Sequence, residues 1–428
     1  MPKRQIIVIG AGPAGLMAAG MAAEVGARTL LLEKMQQPGL KLRLTGKGRC
    51  NLTNIASLPD FIAHFGPNGR FLRQAFSQFF SSDLVTFLKK LGIRTVTESD
   101  GRVFPVSGKA GEVADALAGW AVKCGVTLLT ESPVKRLIVE GGKVAGVEVS
   151  GISSCRGKGA SCCCRSEGNY PADKVILACG GASYPGTGST GDGYHLAVSV
   201  GHTIVPIRPA LVPVETAGDM APRLQGVSLR EVKALVWINE KKKTEATGDM
   251  LFTHFGLSGP LIITLSRLMV DALRQNQKVT LSIDLKPAFD DHKLNELLKS
   301  RLRENGRQKI QTLLKEFLPQ KLIPVCLDLT GIHSDKVAHQ ITSEERKRLR
   351  LWLNDFTLEV TGFRPFTEAM ITAGGVDTKE VDPRTMESRR VKGLYFAGEV
   401  LDIDADTGGY NLQAAFSTGW VAGRSAAR

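Results

Sequence analysis

Apolar residues in the first stretch of the chain form two short continuous runs separated by a run of small residues. Gln5–Ile9 and Arg28–Leu32 read as strands, and Leu16–Val25 between them reads as a helix. Continuous apolar runs of this length are typical of strands buried on both faces of a parallel sheet. The order strand, helix, strand therefore predicts a βαβ unit of an α/β fold.

The pattern of apolar residues predicts further helices and strands up to about residue 200. We predict amphipathic helices within 70–92, a strand pair around 94–105, a helix over 111–124, a hairpin of strands 134–140 and 143–149, and a buried strand over 174–177. A glycine-rich crossing follows that last strand. Ligands of α/β proteins bind at such carboxyl ends of strands.

The pattern changes twice later in the chain. Residues 205–285 alternate like strands, whereas 286–356 are helical and charged, and strand-to-glycine units return at 369–375 and 391–398. We therefore predict one discontinuous domain, 1–204 with 362–428, interrupted by an insert domain over 205–361. The insert is expected to be β-rich over 205–285 and helical over 286–356.

A G-x-G-x-x-G turn lies between the first strand and the first helix. Gly10 allows the tight turn, Gly12 lets the backbone approach a pyrophosphate, and Gly15 lets helix and strand pack closely. Glu33 ends the second strand, where a carboxylate binds the hydroxyls of an adenosine ribose. Together these features predict dinucleotide binding.

Composition narrows the class of protein. The chain has 428 residues, and no apolar run approaches the roughly 20 residues needed to span a bilayer. Lys3 and Arg4 before an apolar run resemble a signal peptide, but the glycine spacing fits a Rossmann unit better. We expect a cytoplasmic protein without membrane association. The 8 cysteines fit neither a secreted disulfide scaffold nor a zinc pattern, so we predict reduced thiols and no metal site.

The net charge of +13 has two interpretations. It favours anionic cofactors and substrates, and it is also typical of nucleic-acid binding. Residues 286–350 hold 14 Lys/Arg and 9 Asp/Glu, which makes them the best candidate for a nucleic-acid face. Interleaved aromatic residues are lacking there, so we favour an ordinary solvated helix face.

Two loops each have a functional and a purely structural interpretation. Gly46-Lys47-Gly48-Arg49-Cys50-Asn51 is not a P-loop, but such a loop can lay N–H groups and basic side chains along a phosphate or a flavin edge. We favour that role over a surface turn. Residues 150–170 are rich in Gly, Ser and Cys, and we favour a flexible hairpin tip there over a metal site.

The later strand-to-glycine unit indicates FAD rather than NAD. Phe396-Ala397-Gly398-Glu399 is suited to a ribityl hydroxyl and a pyrophosphate, and a helix opens at Gly409–Leu412. The positive end of that helix would stabilise negative charge at the flavin pyrimidine. The two ends of the cofactor would thus be bound by the two ends of a discontinuous domain.

Four motifs resemble those of the bacterial BaiN/YhiN-like flavoproteins. They are GKGRCNLTN (46–54), GGASYPGTGSTGDG (180–193), THFGLSGP (253–260) and residues 398–413. The resemblance spans essentially the full length and implies an α/β fold. Its main domain would be a Rossmann-type FAD-binding domain, glutathione-reductase-like, interrupted by a β-rich insert domain with a helical subdomain. Members have been linked to reduction of steroid-like substrates and to amine oxidation, so the resemblance leaves the substrate open.

The resemblance also implies a set of cofactor-binding residues. The pyrophosphate turn and the ribose acid open the set, the loop from Lys41 to Asn51 faces the flavin, and Val134 touches adenine through its backbone. The full set is Gly10, Ala11, Gly12, Pro13, Ala14, Gly15, Glu33, Lys34, Lys41, Leu42, Gly46, Lys47, Gly48, Arg49, Cys50, Asn51, Val134, Ala178, Cys179, Gly180, Gly181, Gly398, Glu399, Asn411, Leu412 and Gln413.

The predicted function is that of an FAD-dependent oxidoreductase with non-covalent FAD. Hydride transfer would pass through flavin N5 to a small organic substrate, in a pocket between the FAD domain and the insert. Arg49, His254, Arg364 and Tyr410 are the candidate catalytic side chains. We predict no separate second dinucleotide-binding unit for NAD(P)H, which would therefore bind only transiently as a donor.

Two alternatives stay open at this point. One is an RNA-binding flavoprotein acting on tRNA, and the other is a non-catalytic FAD redox sensor. The sequence leaves the oligomeric state open.

Overall fold

The computed structural model describes residues 3–150, 154–156 and 167–428. The chain forms two compact units, unit 1 (Met1–Pro209 with Met370–Arg428) and unit 2 (Ala210–Ala369). The domain boundaries at 204/205 and 361/362 stay a prediction. Of the predicted hairpin tip at 150–170, residues 151–153 and 157–166 lie outside the described residues.

The elements follow the order of the chain. Up to the first unit boundary the strands are β1 (Gln5–Ile9), β2 (Arg28–Leu32), β3 (Thr53–Asn54), β4 (Thr95–Thr97), β5 (Arg102–Pro105), β6 (Thr127–Thr130), β7 (Val134–Glu140), β8 (Lys143–Val149), β9 (Ser154–Arg156), β10 (Gly168–Pro171), β11 (Lys174–Leu177) and β12 (Ile204–Ala210). The helices there are α1 (Pro13–Glu24), α2 (Leu40–Leu44), α3 (Leu58–Ala63), α4 (Gly69–Gln78), α5 (Ser81–Lys90), α6 (Ala110–Lys123) and α7 (Asp192–Ser199).

Unit 2 and the return to unit 1 complete the order. Unit 2 contains β13 (Val214–Thr216), α8 (Met220–Arg223), β14 (Ser228–Ile238), β15 (Lys241–Phe252), β16 (Gly256–Ser258), α9 (Pro260–Arg274), β17 (Val279–Asp284), α10 (Asp291–Glu304), α11 (Ile310–Leu313), α12 (Leu322–Thr330), α13 (Ser343–Asn354) and β18 (Phe356–Phe363). Unit 1 ends with β19 (Ile371–Val376), β20 (Leu394–Phe396) and α14 (Tyr410–Ala427).

The central sheet of unit 1 has the strand order β20-β11-β1-β2-β6-β9. The pairs from β20 through β6 are parallel, and β9 alone runs antiparallel. The last strand of the chain therefore lies next to β11, near the first strand in space. This arrangement confirms the predicted Rossmann-type fold with a sheet completed from both ends of the chain.

Helices α1 and α14 pack backbone to backbone, because glycines face the contact. A Cβ atom on Gly419 would lie 2.3 Å from Ala14 O, and one on Gly423 would lie 2.2 Å from Ala18 O. Small residues let two helices approach this closely. The contact joins the turn at the start of the chain to the segment that follows β20.

Unit 2 contains a closed barrel in the order β13-β16-β15-β14-β17-β18. Its burial alternates along β14 and β18, and its core is shared with helices α9 to α13. This confirms a β-rich insert with a helical part. The sequence pattern did not lead us to predict β18, although Phe356, Leu358 and Val360 alternate with polar residues there. Thr342 is the N-cap of α13, and its side chain accepts a hydrogen bond from Glu345 N.

Within the described residues, no helix combines the length and the apolarity that crossing a membrane requires.

His202 lies at the centre of a buried polar cluster that ties β12 to the segment before β20. Its Nδ1 lies 3.0 Å from Glu380 Oε2, and its Nε2 lies 2.8 Å from Ser388 Oγ. Ser388 Oγ also accepts hydrogen bonds from the backbone N–H groups of Arg390 and Val391. Burial lowers the pKa of His202, although the carboxylate of Glu380 opposes that effect.

We expect Gly419→Ala to lower the free energy of unfolding by about 1–3 kcal/mol, because the new methyl group meets backbone atoms of α1. Gly119→Ala in α6 is the matched control, since a Cβ there meets nothing within 4 Å. The control should gain about 0.5–1 kcal/mol from helix propensity. Urea unfolding of both variants measures the difference, and equal effects would contradict the close contact of α1 and α14.

The His202 cluster predicts loss of stability in mild acid. The pKa of His202 is lower in the folded protein than in the unfolded chain, so its contribution to stability is complete above the ordinary pKa of about 6.5 and is lost as the pH falls through the folded value. Melting temperatures between pH 5 and 7.5 should fall less steeply for His202→Gln than for the wild type. His292→Gln, at an exposed site, should follow the wild-type profile.

Candidate cofactor site

The glycine turn after β1 is shaped by two close contacts and one open space. Gly10 has φ +96°, and a Cβ there would lie 2.6 Å from Ala178 O. A Cβ on Gly15 would lie 1.8 Å from Gly10 O, whereas one on Gly12 would meet nothing within 4 Å. Gly10 and Gly15 therefore allow packing, and Gly12 leaves a cradle at the N-terminus of α1. That cradle fits a pyrophosphate, which helix N–H groups and the helix dipole would bind.

Glu33 is fixed at the carboxyl end of β2. Its Oε2 accepts a hydrogen bond from Ala11 N at 2.7 Å, and its Oε1 accepts one from Met35 N at 2.9 Å. The side chain is buried, and burial raises the pKa of Glu33 against the opposing effect of these N–H groups and of Lys34. The carboxylate is thus fixed at a position from which it could accept hydrogen bonds from a ribose diol.

Lys34 connects the end of β2 to the start of α7. Its Nζ donates to Thr190 Oγ1 at 2.6 Å and forms an ion pair with Asp192. Burial alone would raise the pKa of Asp192, but hydrogen bonds from Lys34 and Thr190 outweigh burial and lower it. Lys34 therefore holds one end of the loop that runs from Ser183 to Asp192.

Lys41 holds the other end of that loop. Its Nζ donates to Ser183 Oγ at 2.7 Å and to Glu399 Oε2 at 2.8 Å. Glu399 Oε1 accepts from Thr372 N at 2.7 Å, and Thr372 Oγ1 accepts from the N–H of Ser183 at 3.1 Å. Glu399 is thus fixed by segments far apart in sequence. Sequence reasoning missed Ser183 and Thr372, because no local pattern shows that they meet Glu399.

The N-terminus of helix α14 also contributes to the site. Gly409, its N-cap, has φ +98°, and a Cβ there would lie 2.4 Å from Thr53 O. The helix begins at Tyr410, within the predicted opening at Gly409–Leu412. The Asn411 side chain accepts from Ala405 N and donates to Ala405 O, both at 2.9 Å, so it fixes the preceding loop.

One cleft, which we call the cofactor cleft, brings many of the predicted binding residues together. Those that line it are Gly10, Gly12, Pro13, Ala14, Glu33, Lys34, Lys41, Leu42, Val134, Ala178, Cys179, Gly180, Gly398, Glu399, Asn411 and Leu412. Most of them come from the carboxyl ends of β1, β2, β11 and β20 and from the N-termini of α1 and α14, whereas Lys41 and Leu42 belong to α2 and Val134 opens β7. The cofactor site is therefore at the edge of the sheet where α/β ligands bind.

The cleft also has lining residues that the sequence did not indicate. They are Ile9, Leu32, Gln37, Gly39, Leu40, Thr45, Ser132, Thr187, Gly188, Ser189, Asp192, Leu196, Met370, Ile371, Ala397, Ile403, Ala414 and Ala415. Thr187 to Asp192 belong to the glycine-rich crossing after β11, which was a usable signal. Met370 precedes β19 and Ile371 opens it, and both lie within the predicted strand-to-glycine unit at 369–375, which was a second signal.

Nine predicted residues are not among the lining residues of the cleft. They are Ala11, Gly15, Gly46, Gly48, Arg49, Cys50, Asn51, Gly181 and Gln413. The Lys47 side chain lies outside the described part of the structure.

Two of these nine are held in place by packing. Cys50 is fully buried, which raises the pKa of its thiol to about 12. Gln413 is buried too, and its Nε2 donates to Ser417 Oγ at 3.0 Å. From the stretch expected to face the flavin, Lys41, Leu42 and Thr45 line the cleft, whereas Gly46, Gly48, Arg49, Cys50 and Asn51 do not.

The four candidate catalytic residues lie apart from the cleft lining. Arg49 stacks over Phe104 at 4.2 Å and pairs with Glu98. Tyr410 is buried, with its ring stacked on His64 at a centroid distance of 3.9 Å. The structure therefore gives neither residue a contact with a ligand in the cleft.

The other two candidates are in unit 2. Arg364 pairs with Glu215 at 2.8 Å and with Glu368 at 2.6 Å, and these carboxylates raise its pKa. His254 is exposed in the turn between β15 and β16, where Thr253 N donates to Gly256 O at 2.8 Å. Catalytic roles for all four residues stay a prediction.

The charged groups of the cleft are suited to binding and positioning a ligand, because each of them already has a partner. Glu33 is held by N–H groups, Lys34 by Asp192, and Lys41 by Glu399. Two helix N-termini add positive potential without a titratable group. The arrangement suits a long anionic molecule with hydroxyl groups near each end, and FAD has that chemistry.

Comparison with known proteins agrees with this geometry. The family described as "HI0933-like protein Rossmann domain" matches residues 4–425. The 3-dehydro-bile acid delta(4,6)-reductase of Clostridium scindens is 33% identical over 427 residues, 99% of each chain. The ribosomal RNA dihydrouridine synthase of Escherichia coli is 31% identical over 424 residues, 98% of this chain and 97% of that one.

Solved structures with low sequence identity share the fold. The 3-ketosteroid delta1-dehydrogenase from Sterolibacterium denitrificans superimposes with a TM-score of 0.55 at 14% identity, covering 100% of both chains. A flavocytochrome c3 fumarate reductase gives 0.52 at 18% identity, covering 99% of this chain and 78% of that one. The predicted fold and the class of FAD-dependent oxidoreductase are confirmed, and the chain belongs to the HI0933-like family of FAD-binding Rossmann flavoproteins.

Proposed function

We propose that this oxidoreductase reduces a carbon–carbon double bond conjugated to a carbonyl group in a small organic molecule. The observation that carries the proposal is the pair of helix N-termini, α1 and α14, at one cleft between two fixed carboxylates. One N-terminus suits the pyrophosphate. The other suits negative charge at the far end of the cofactor, which favours a hydride donor.

The names of the two relatives support this reaction type. One is a delta(4,6)-reductase of a 3-dehydro-bile acid, and the other forms dihydrouridine. Both names describe the addition of hydrogen across a carbon–carbon double bond of a ring that carries a carbonyl group. A shared reaction on different substrates is what a common cofactor site with different substrate contacts would give.

Residues of this chain would divide the work of binding as follows. Gly12 and the N-terminus of α1 would hold the pyrophosphate, and Glu33 would accept hydrogen bonds from the ribose. Lys41 fixes Glu399 by direct contact, and Glu399 would accept a hydrogen bond from a ribityl hydroxyl. When bound, FAD supplies hydride transfer at N5.

We infer that the cofactor is bound non-covalently. Cys179 is the one cysteine among the described residues that line the cleft, and burial raises the pKa of its thiol to about 12. A thiol with that pKa stays protonated near neutral pH and is a poor nucleophile. NAD(P)H is proposed as a transient electron donor that needs no second dinucleotide fold.

Anaerobic stopped-flow spectroscopy tests the reaction. NADH or NADPH should bleach the flavin band near 450 nm, and a 3-keto-Δ4 steroid or a cyclic enone should restore it with one equivalent of saturated product. A saturated ketone of the same skeleton is the matched control and should leave the flavin reduced. Reoxidation by oxygen or a quinone but by no activated alkene would contradict the proposal, and failure to turn over any acceptor would favour a redox sensor.

A second candidate function is reduction of uracil within RNA. The name of the Escherichia coli relative and the net charge of +13 favour it. The same apparatus distinguishes the two candidates. In one outcome a uridine-containing RNA reoxidises the flavin, with dihydrouridine detected by mass spectrometry, while enones do not. That result would show that the substrate is RNA and not a small molecule.

Gly12→Ala should separate cofactor binding from folding. The backbone of Gly12 has φ −77° and ψ −176°, which alanine adopts without strain, and its Cβ would enter only the cradle. We expect unchanged stability of the apoprotein and at least a tenfold weaker FAD affinity, about 1.4 kcal/mol. Fluorescence titration of the apoprotein with FAD measures this affinity.

Gly186→Ala is the control for that variant. Gly186 belongs to the loop over the cleft, and a Cβ there meets nothing within 4 Å. Its FAD affinity should stay within twofold of the wild type. An unaltered affinity of Gly12→Ala would show that the pyrophosphate does not pass the glycine turn.

A further inference from the structure

The edge of the central sheet opposite the cofactor cleft is formed by the amino ends of four neighbouring parallel strands. These strands are β20, β11, β1 and β2, in that spatial order. Their carboxyl ends supply the cleft, so their amino ends must meet at the other edge. This edge takes no part in the proposed chemistry.

A basic residue lies at the start of each of the four strands or within two residues before it. Lys392 precedes β20, Lys174 opens β11, Arg4 precedes β1 and Arg28 opens β2. Neighbouring strands lie about 4.8 Å apart, so the four side chains are spaced over about 14 Å. Backbone hydrogen bonds fix the register, since Arg28 N donates to Arg4 O at 2.9 Å.

Lys143 extends this series beyond β20. It forms a β-bridge with Lys392, and Val144 N donates to Lys392 O at 3.0 Å. We call Arg4, Arg28, Lys143, Lys174 and Lys392 the amino-edge row. All except Lys174 are exposed.

Few acidic groups balance the amino-edge row. Glu387 lies 3.7 Å from Lys174, and Asp173 accepts a hydrogen bond from Gln5 N at 2.8 Å. Within the described part of the chain, the other four basic residues form no ion pair. Burial and the charges of Arg4, Lys143 and Lys392 lower the pKa of Lys174 against the opposing charge of Glu387. A row of like charges held together by the sheet is therefore under repulsion that a polyanion would relieve.

We propose that the amino-edge row binds the sugar–phosphate backbone of an RNA. Exposed cations grouped within about 14 Å can pair with neighbouring phosphates and need no contact with a base. The choice of RNA among polyanions rests on the second candidate function given above. β1 has 5 residues, so at about 3.3 Å per residue the row lies roughly 17 Å from the cleft. It would hold a part of a large RNA distant from any reacting base.

Salt-dependent binding tests the row. The holoenzyme is titrated against a fluorescein-labelled, structured fragment of ribosomal RNA between 50 and 200 mM KCl. The test variant combines Arg4→Gln, Arg28→Gln and Lys392→Gln, and it keeps Lys174, which packs over Tyr395 at 5.5 Å. Losing three phosphate contacts should weaken binding at least tenfold at 100 mM salt and reduce the slope of log K against log salt by about 2.

A charge-matched variant controls for net charge. Lys89→Gln, Lys90→Gln and Lys315→Gln remove three exposed positive charges elsewhere. This variant should keep its affinity within twofold. Equal weakening by both triple variants, or no binding of the wild type to RNA, would overturn the proposal. Row-dependent binding to vesicles of phosphatidylcholine and phosphatidylserine, without RNA binding, would also overturn it in favour of a lipid surface.

The outcomes separate the row from the proposed function. Both triple variants should retain FAD and its reduction by NAD(P)H, because the row lies at the edge away from the cleft. RNA binding through the row without reduction of uridine would leave the row standing and remove the second candidate function. Reduction of uridine that is unchanged in the row variant would remove the row alone.

Discussion

The close approach of α1 and α14 is the contact on which the cofactor cleft depends. The first helix carries the glycine turn, and the last helix carries the segment after β20. Only glycine at 419 and 423 lets the two backbones lie against Ala14 and Ala18. Since both helix N-termini open on the same cleft, this contact also sets the distance between the two regions of positive potential. A shift between the helices would change the site without altering a single residue that lines it.

The site combines this fixed frame with internally balanced charge. Each ionisable residue of the cleft has a partner before any ligand binds, which limits the reorganisation that binding requires. The helical part of unit 2 has an excess of basic residues, and part of that charge is also paired. Five of its cations lie in ion pairs with nearby acids: Lys299 with Glu296, Arg301 with Glu304, Lys309 with Asp335, Lys336 with Glu345, and Arg350 with Asp291. At the amino edge of the sheet, the ion pairs among the described residues involve only Lys174.

Local signals explain what the sequence could predict. The glycine turn, Glu33 and the late strand-to-glycine unit are each defined by neighbours in sequence, and each lies where it was expected. The contacts of Ser183 with Thr372 and Glu399, and the pairing of β18 with β13 that closes the barrel, join residues more than 100 positions apart. No local pattern encodes such pairings. The loop after Gly46 shows a different limit of prediction from sequence. Its glycines and basic residues are compatible both with ligand binding and with packing around Phe104 and Thr53.

The position of β20 has a consequence for biosynthesis. Strand β11 pairs with β1 on one side and with β20 on the other, and roughly 200 residues separate β11 from β20 in sequence. At a translation rate of about 5–20 residues per second, roughly 10–40 s pass between the synthesis of β11 and that of β20, and the second edge of β11 stays unpaired during that time. During that time Val175, Ile176 and Leu177 form an open apolar edge of the kind that pairs with other chains. The nascent protein is therefore most exposed to aggregation while unit 2 is being synthesised, and the speed with which the barrel folds decides how soon the sheet can be closed.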